Sequence, residues 1–222
     1  MKKLNSLIDH TLLRPDATKE EIVKLCEEAI HYGFASVCIL PYWVPVARSK
    51  LKGTPVKVCS VVGFPLGCNT IETKRFEAEQ LTLAGAEELD MVLNVAALKS
   101  GDAHTVEMEI KEVVKAAGKN KVKVILETCL LSDEEKILAC QIAKRSGAAF
   151  VKTSTGFGKH GATLEDIALM RNVVGNTMGV KASGGIRDYA TALKMADAGA
   201  TRIGTSAGVT IATMGTNNHD YY

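Results

Sequence analysis

The 222 residues include 27 Lys and Arg against 25 Asp and Glu, a formal charge of +2, with 46% hydrophobic and 23% charged residues. Such proportions suit a globular chain with a sizeable core and exclude a disordered one. The balanced charge leaves no footprint for nucleic acid or an anionic membrane, and no window of about 18 apolar residues offers a membrane span.

The first residues, Met1-Lys-Lys-Leu-Asn-Ser-Leu-Ile-Asp, start like a signal peptide, but Asn5, Ser6 and Asp9 interrupt any apolar stretch, so no targeting segment is expected. A short strand is expected near 7–11. Further strand-like runs fall near 36–40, 56–62, 88–93, 122–127, 149–152, 178–182 and 201–204. Between them, Thr18-x-x-Glu21, Asn69-x-x-Glu72 and Ser132-x-x-Glu135 resemble capping boxes, and Thr163 precedes the acidic pair Glu165 and Asp166. Gly33, Gly85, Gly147 and Gly199 each end a helical stretch just before an apolar run, the junction that feeds a helix into a buried parallel strand. The densest basic run, Lys119 to Lys123, reads as a solvated turn leading into a strand. Strands alternating with helices, and no Pro/Ser-rich linker, point to a single-domain (β/α)8 TIM barrel over residues 1–222, with a short tail from about 214. An open doubly wound sheet is the alternative. The cysteines at 26, 38, 59, 68, 129 and 140 are dispersed, without C-x-x-C or zinc spacing, so a reduced, cytoplasmic protein with no structural metal is expected.

Barrel enzymes place their chemistry where strands end and βα loops begin. Three charges interrupt the apolar runs there: Asp90, Lys152 and Lys181. A buried strand does not tolerate unpaired charge, so either each reaches water or an ion-pair partner, or all three converge on the barrel mouth. A convergent Lys/Lys/Asp cluster suits amine nucleophilic catalysis. Partial burial and a second cation lower a lysine pKa from about 10.4, which frees one amine to attack while the other supplies positive charge. Asp90 would relay protons. Spacing does not say which lysine plays which part. Nearby, Asp9 and Thr11 could line the mouth or cap a turn, and Cys38 could contact the site or pack as a small hydrophobe. Glu127 could orient a lysine or serve as a structural ion-pair partner. The histidines form no ligand set.

Small residues follow the last strands: Thr155 and Gly156 after Lys152, then Ser183-Gly184-Gly185-Ile-Arg187, then Gly204-Thr205-Ser206. They let backbone N–H groups approach an anion, and barrel phosphate sites often use the loops after strands seven and eight. Tight βα turns would read the same way. Gly156-Phe-Gly-Lys-His-Gly161 matches the dinucleotide-binding pattern in letters only, because the helix cap, Thr163, comes after the last glycine and no acid follows at the required spacing.

Several segments resemble the deoxyribose-phosphate aldolase family: Ile8-Asp-His-Thr, Val61-Val-Gly-Phe-Pro-Leu-Gly67, Glu88-Leu-Asp-Met-Val-Leu-Asn94, Phe150-Val-Lys-Thr-Ser-Thr-Gly-Phe157, Gly161-Ala-Thr-Leu-Glu-Asp-Ile and Gly179-Val-Lys-Ala-Ser-Gly-Gly-Ile-Arg187. The resemblance implies a metal-independent class I aldolase that cleaves 2-deoxy-D-ribose 5-phosphate to D-glyceraldehyde 3-phosphate and acetaldehyde without a cofactor. It implies Lys152 as the Schiff-base lysine, Lys181 as the lysine that perturbs it, Asp90 as the acid/base, and Gly184-Gly185 with Gly204-Thr205-Ser206 as phosphate loops. It also allows a homodimer, and a part for the terminal Tyr222. Ala96, where relatives usually have Gly, and Leu40, often Asn, depart from the pattern and bear on loop shape. Another barrel lyase or isomerase acting on a sugar phosphate, or a non-catalytic sugar-phosphate binder, is the alternative reading.

Overall fold

Each strand of the chain is hydrogen-bonded to the strands before and after it in sequence, and the last pairs with the first. The structure, a computed structural model, describes residues 4–217. After a 3-10 turn at Leu4–Leu7 come β1 (Ile8–Leu12), α1 (Lys19–Tyr32), β2 (Ser36–Ile39), α2 (Val44–Leu51), β3 (Lys57–Val62), α3 (Ile71–Ala84) and β4 (Glu88–Val92). Then follow α4 (Val95–Lys99), α5 (Ala103–Ala117), β5 (Lys121–Ile125), α6 (Asp133–Arg145), β6 (Phe150–Lys152), α7 (Leu164–Val174), β7 (Gly179–Ser183), α8 (Tyr189–Asp197), β8 (Arg202–Thr205) and α9 (Gly208–Asn217). All pairings are parallel, and β8 pairs with β1 through Ile203 and Ile8, which closes the barrel and excludes the open sheet.

Local chemistry explains most boundaries. Thr18 and Ser132 form reciprocal capping boxes with Glu21 and Glu135, and Thr163 caps α7 by accepting from the Asp166 N–H. The third expected box is displaced: Thr70, not Asn69, caps α3 by accepting from the Thr73 N–H. Gly33, Gly85, Gly147 and Gly199 all adopt positive φ, the left-handed conformation a side chain resists. At the C-terminus α9 runs to Asn217, past the expected start of the tail. Tyr222 lies outside the described residues.

Two apolar clusters result. Outward-facing strand residues such as Val37, Met91, Val124 and Ile203 pack beneath helix residues such as Ile22, Ile110, Ile142 and Ile167 in one continuous layer. The burial of each such side chain contributes about 1.5–3 kcal/mol. Inside the barrel a smaller cluster of Leu13, Cys38, Cys59 and Val61, flanked by Leu40 and Phe64, covers only one side. The other side of the interior is charged.

Candidate active site

In a strand, alternate residues face opposite sides. With the apolar set turned outward under the helices, the inward positions carry Asp9, Glu88, Asp90, Lys123, Lys152, Lys181 and Arg202, all buried. Barrel interiors are ordinarily filled by layers of branched apolar side chains, so a buried ionic network here points to function.

Asp90 is the hub. Its Oδ2 accepts from Lys152 Nζ at 2.9 Å and from Lys181 Nζ at 2.7 Å, and its Oδ1 accepts from Lys123 Nζ at 2.8 Å. Lys181 also donates to Asp9 at 2.5 Å, and Lys123 lies 2.7 Å from Glu88. Arg202 closes the network on Asp9 at 2.6 Å and on Glu88 at 2.7 Å. Four cations thus face three carboxylates: Lys123, Lys152, Lys181 and Arg202 against Asp9, Glu88 and Asp90. Each cation except Lys152 touches two or more of those carboxylates, whereas Lys152 touches only Asp90, on an oxygen shared with Lys181.

The electrostatics bear on the parts that spacing left open. Burial by itself would lower the Lys181 pKa, but the Asp9 and Asp90 carboxylates outweigh it and push the ammonium up. The same balance of burial against Asp90 and its neighbours raises Lys123. Conversely, burial would raise Asp90, yet Lys123, Lys152 and Lys181 hold it well below the usual carboxylate range. Asp9 is likewise held low against burial by Lys181, Lys123 and Arg202. Lys181 is therefore a fixed positive charge rather than an amine neutralised by its neighbour.

A consequence for stability follows. Carboxylates whose folded pKa lies below the unfolded value of about 3.9 stabilise the fold fully above that pH, and the contribution disappears as pH falls through the folded pKa. Lys181 and Lys123, raised in the fold, stabilise it below about pH 10.4 and lose this only at higher pH. The melting temperature should therefore hold between about pH 5 and 9 and fall steeply below about pH 4. Thermal unfolding across pH checks this, and an unchanged melting temperature at pH 3 would refute it.

Above the network, at the C-terminal ends of the strands, a pocket of about 330 Å³ opens to solvent. Lys152 lines it, whereas Lys123, Lys181 and Asp90, all fully buried, do not. Every residue expected at the phosphate loops lines it: Thr155, Gly156, Gly184, Gly185, Gly204, Thr205 and Ser206. Thr11 lines it as well, which places this residue at the mouth, and its hydroxyl donates to the Asp9 carbonyl. Arg14 and Arg187 add positive charge at the rim. The loops are tied together: Ser183 Oγ donates to the Ser154 carbonyl at 2.6 Å, Thr205 Oγ1 to the Ile186 carbonyl at 2.7 Å, and the Ala162 N–H to the Ser183 carbonyl at 3.0 Å. A Cβ on Gly161 would lie 2.1 Å from the Gly184 carbonyl oxygen, so the two loop backbones touch only because position 161 has no side chain. As expected, Thr163 places the start of α7 beyond Gly161, so Gly156–Gly161 does not open a helix.

Other expectations are corrected. Asp9 neither lines the mouth nor caps a turn, because it lies in the interior network. Glu127 ends no strand and, among the described residues, pairs with no lysine. It sits beyond β5 in the left-handed region at φ 55° and accepts from the Thr155 hydroxyl at 2.5 Å, fixing that loop. Cys38 combines both readings, packed in the inner apolar cluster with Sγ 4.0 Å from Asp90. Lys123 belongs to no solvated turn; it is fully buried against Asp90. Its signal was available in Lys121-Val-Lys-Val-Ile: with Val122 and Val124 outward, Lys123 must point inward, opposite its register partner Asp90. Glu88 and Arg202, at strand starts, escaped notice for the same reason.

Comparison with known proteins agrees with this geometry. The sequence pattern of the DeoC/LacD family aldolases matches residues 4–213. A deoxyribose-phosphate aldolase from Caldanaerobacter subterraneus subsp. tengcongensis is 64% identical over 95% of this chain and 93% of its own. Among solved structures, "QR15, an Aldolase" superposes with a TM-score of 0.94 at 42% identity, covering 99% of this chain and 98% of that one. The deoxyribose phosphate aldolase from Aeropyrum pernix, described as a tetramer, superposes at 0.90 with 38% identity, covering 97% and 92%. With a lysine–carboxylate network below a mouth lined by glycine-rich loops and two arginines, and relatives matching almost end to end, this chain belongs to the DeoC/LacD family of aldolases.

Proposed function

We propose that the protein is a deoxyribose-phosphate aldolase in deoxyribose phosphate catabolism, reversibly cleaving 2-deoxy-D-ribose 5-phosphate to D-glyceraldehyde 3-phosphate and acetaldehyde through an imine on Lys152. The observation that carries this reading is that Lys152 alone among the network's lysines lines the pocket, within 2.9 Å of a carboxylate that can move protons. Loss of one proton from the four cations leaves the network neutral, so a free amine is compatible with the buried charges.

The Lys152 amine attacks the C1 aldehyde of the open-chain sugar, and loss of water gives a protonated imine. Electrons of the C2–C3 bond flow into that iminium as the C3 hydroxyl proton leaves to Asp90, directly or through water, with the Lys181 ammonium holding the developing oxyanion. Glyceraldehyde 3-phosphate departs. The remaining enamine takes a proton at C2, and hydrolysis releases acetaldehyde and restores Lys152. The iminium is the electron sink, so this route needs no metal and no cofactor. Borohydride added with substrate should reduce the imine and fix a two-carbon or sugar adduct on Lys152, found by peptide mass mapping. An adduct on another lysine, or activity abolished by a chelator, would overturn the assignment.

At the other end of the pocket the substrate phosphate meets Gly184–Arg187 and Gly204–Ser206. Arg187→Ala should raise KM for the phosphorylated sugar by roughly tenfold or more, the value of a charge-assisted hydrogen bond. It should leave the slow turnover of unphosphorylated 2-deoxyribose unchanged. Steady-state kinetics on both substrates separates phosphate recognition from a general loss of structure. The dispersed cysteines support a reducing, cytoplasmic setting, and among the described residues no helix is long and apolar enough to cross a membrane. For assembly, the family resemblance allows a homodimer while the Aeropyrum pernix relative is described as a tetramer; sedimentation distinguishes the two.

A further inference from the structure

Two thiols sit beside Asp90 and have no part in the imine chemistry. Cys38 on β2 and Cys59 on β3 are register partners whose side chains both enter the inner cluster. Their sulfurs lie within 4.8 Å of one another and of a carboxylate oxygen of Asp90. Cys59 Sγ stands 3.2 Å from Asp90 Oδ1 and 3.2 Å from Lys123 Nζ, and Cys38 Sγ is 4.0 Å from Asp90 Oδ2. Neighbouring strands run about 4.8 Å apart, inside the roughly 4.4–6.8 Å between Cα atoms that a disulfide spans. Both cysteines are free.

We propose that Cys38 and Cys59 form an oxidation site for peroxides, closing to a disulfide that disturbs Asp90 and arrests cleavage. The Cys38 thiolate attacks one peroxide oxygen and breaks the O–O bond. This leaves a sulfenic acid on Cys38 and, with one proton, water. The Cys59 sulfur then attacks the Cys38 sulfur, its own proton leaving with the hydroxyl as a second water. Two thiols are oxidised by two electrons and one peroxide is reduced.

The surroundings assign the order of events. A hydrogen bond from the Cys59 thiol holds the Cys38 pKa below that of an ordinary thiol, opposed by burial and helped by Lys181. Burial pushes Cys59 up, so Cys38 attacks first and Cys59 resolves. The approach is short, because Thr11, the register partner of Cys38 on its other side, lines the open pocket. Cys38, Cys59 and Asp90 could also be read as a site for a soft divalent cation. Three ammonium groups already occupy the Asp90 oxygens, however, and another cation would add to that charge, whereas closing a disulfide changes no net charge. Oxidation also removes both S–H groups facing Asp90, and drawing the sulfurs into a bond shifts the wall against which this carboxylate rests.

The test uses the intact protein carrying Cys68→Ser, which removes an exposed thiol capable of joining two chains. Titration with hydrogen peroxide should remove two hydrogen masses per chain, link the peptides bearing Cys38 and Cys59, and lower kcat by about a hundredfold, the scale of a lost proton-transfer partner. Dithiothreitol should restore both mass and activity. Cys38→Ser and Cys59→Ser should each abolish the link, while peptide mapping of the parent protein stands even if a variant folds poorly. A link between other cysteines, over-oxidation of Cys38 without a link, or a linked protein with unchanged kcat would overturn the proposal. So would zinc chloride inhibiting while peroxide forms no link, which identifies a metal site instead. The loss of activity rests on the aldolase reading, but the bond does not: a link formed in a protein whose reduced form never cleaves the sugar phosphate counts against that reading alone.

Discussion

Lys152→Leu should lower kcat/KM for 2-deoxyribose 5-phosphate by at least about 10⁴-fold, the scale on which removal of a covalent nucleophile acts, and should abolish the borohydride-trapped adduct. The same substitution should leave the fold nearly as stable as before, within about 1–2 kcal/mol. The reason is the charge balance of the interior. Four cations face three carboxylates there, so removing Lys152, the member with one carboxylate partner, leaves matched charges, and leucine fills much of the space vacated by the lysine stem. Activity assays paired with denaturant unfolding make the test. A variant that loses activity and stability together would instead place Lys152 among the structural ion pairs.

Asp90→Asn should fail on both counts. Asparagine keeps the shape but removes the charge on which Lys123, Lys152 and Lys181 converge. An uncompensated buried charge costs about 3–5 kcal/mol, and loss of the proton relay costs a further factor of about 10²–10⁴ in kcat. These effects can be separated. Adding Lys123→Met to Asp90→Asn removes one of the stranded cations and should recover part of the stability, while kcat stays low because no group remains to take the C3 hydroxyl proton. Recovery of kcat in the double variant would show that Asp90 acts only by holding the barrel together.

The two predictions differ because Lys152 has one carboxylate partner whereas three cations converge on Asp90, and such pairing was the property least visible in the sequence. Asp90, Lys152 and Lys181 stood out because each interrupts an apolar run. Lys123 did not, because Lys119 to Lys123 looks like a basic surface segment until the helices fix which side of β5 is outside. Glu127 misled in the opposite sense: it seemed to extend a strand, whereas the chain had already turned at φ 55° and aimed the carboxylate at Thr155. Asn69 and Thr70 are both competent caps, and the actual start of α3 decides between them.

What the sequence alone determined was the order and kind of the elements and the loops that hold the pocket. Caps, glycine stops and apolar runs act over a few residues, whereas closure rests on the β8–β1 pairing, which repetition of one unit does not by itself require. The pairing of the charges was decided only by tertiary structure. Asp9 and Arg202 are far apart in the chain, yet the β1–β8 pairing sets them in one ion pair. Whether Lys181 is a neutral amine or a fixed cation depends on the carboxylates that closure brings to it. Pairing across the closed sheet is non-local, and a buried charge takes its character from whatever that pairing places beside it.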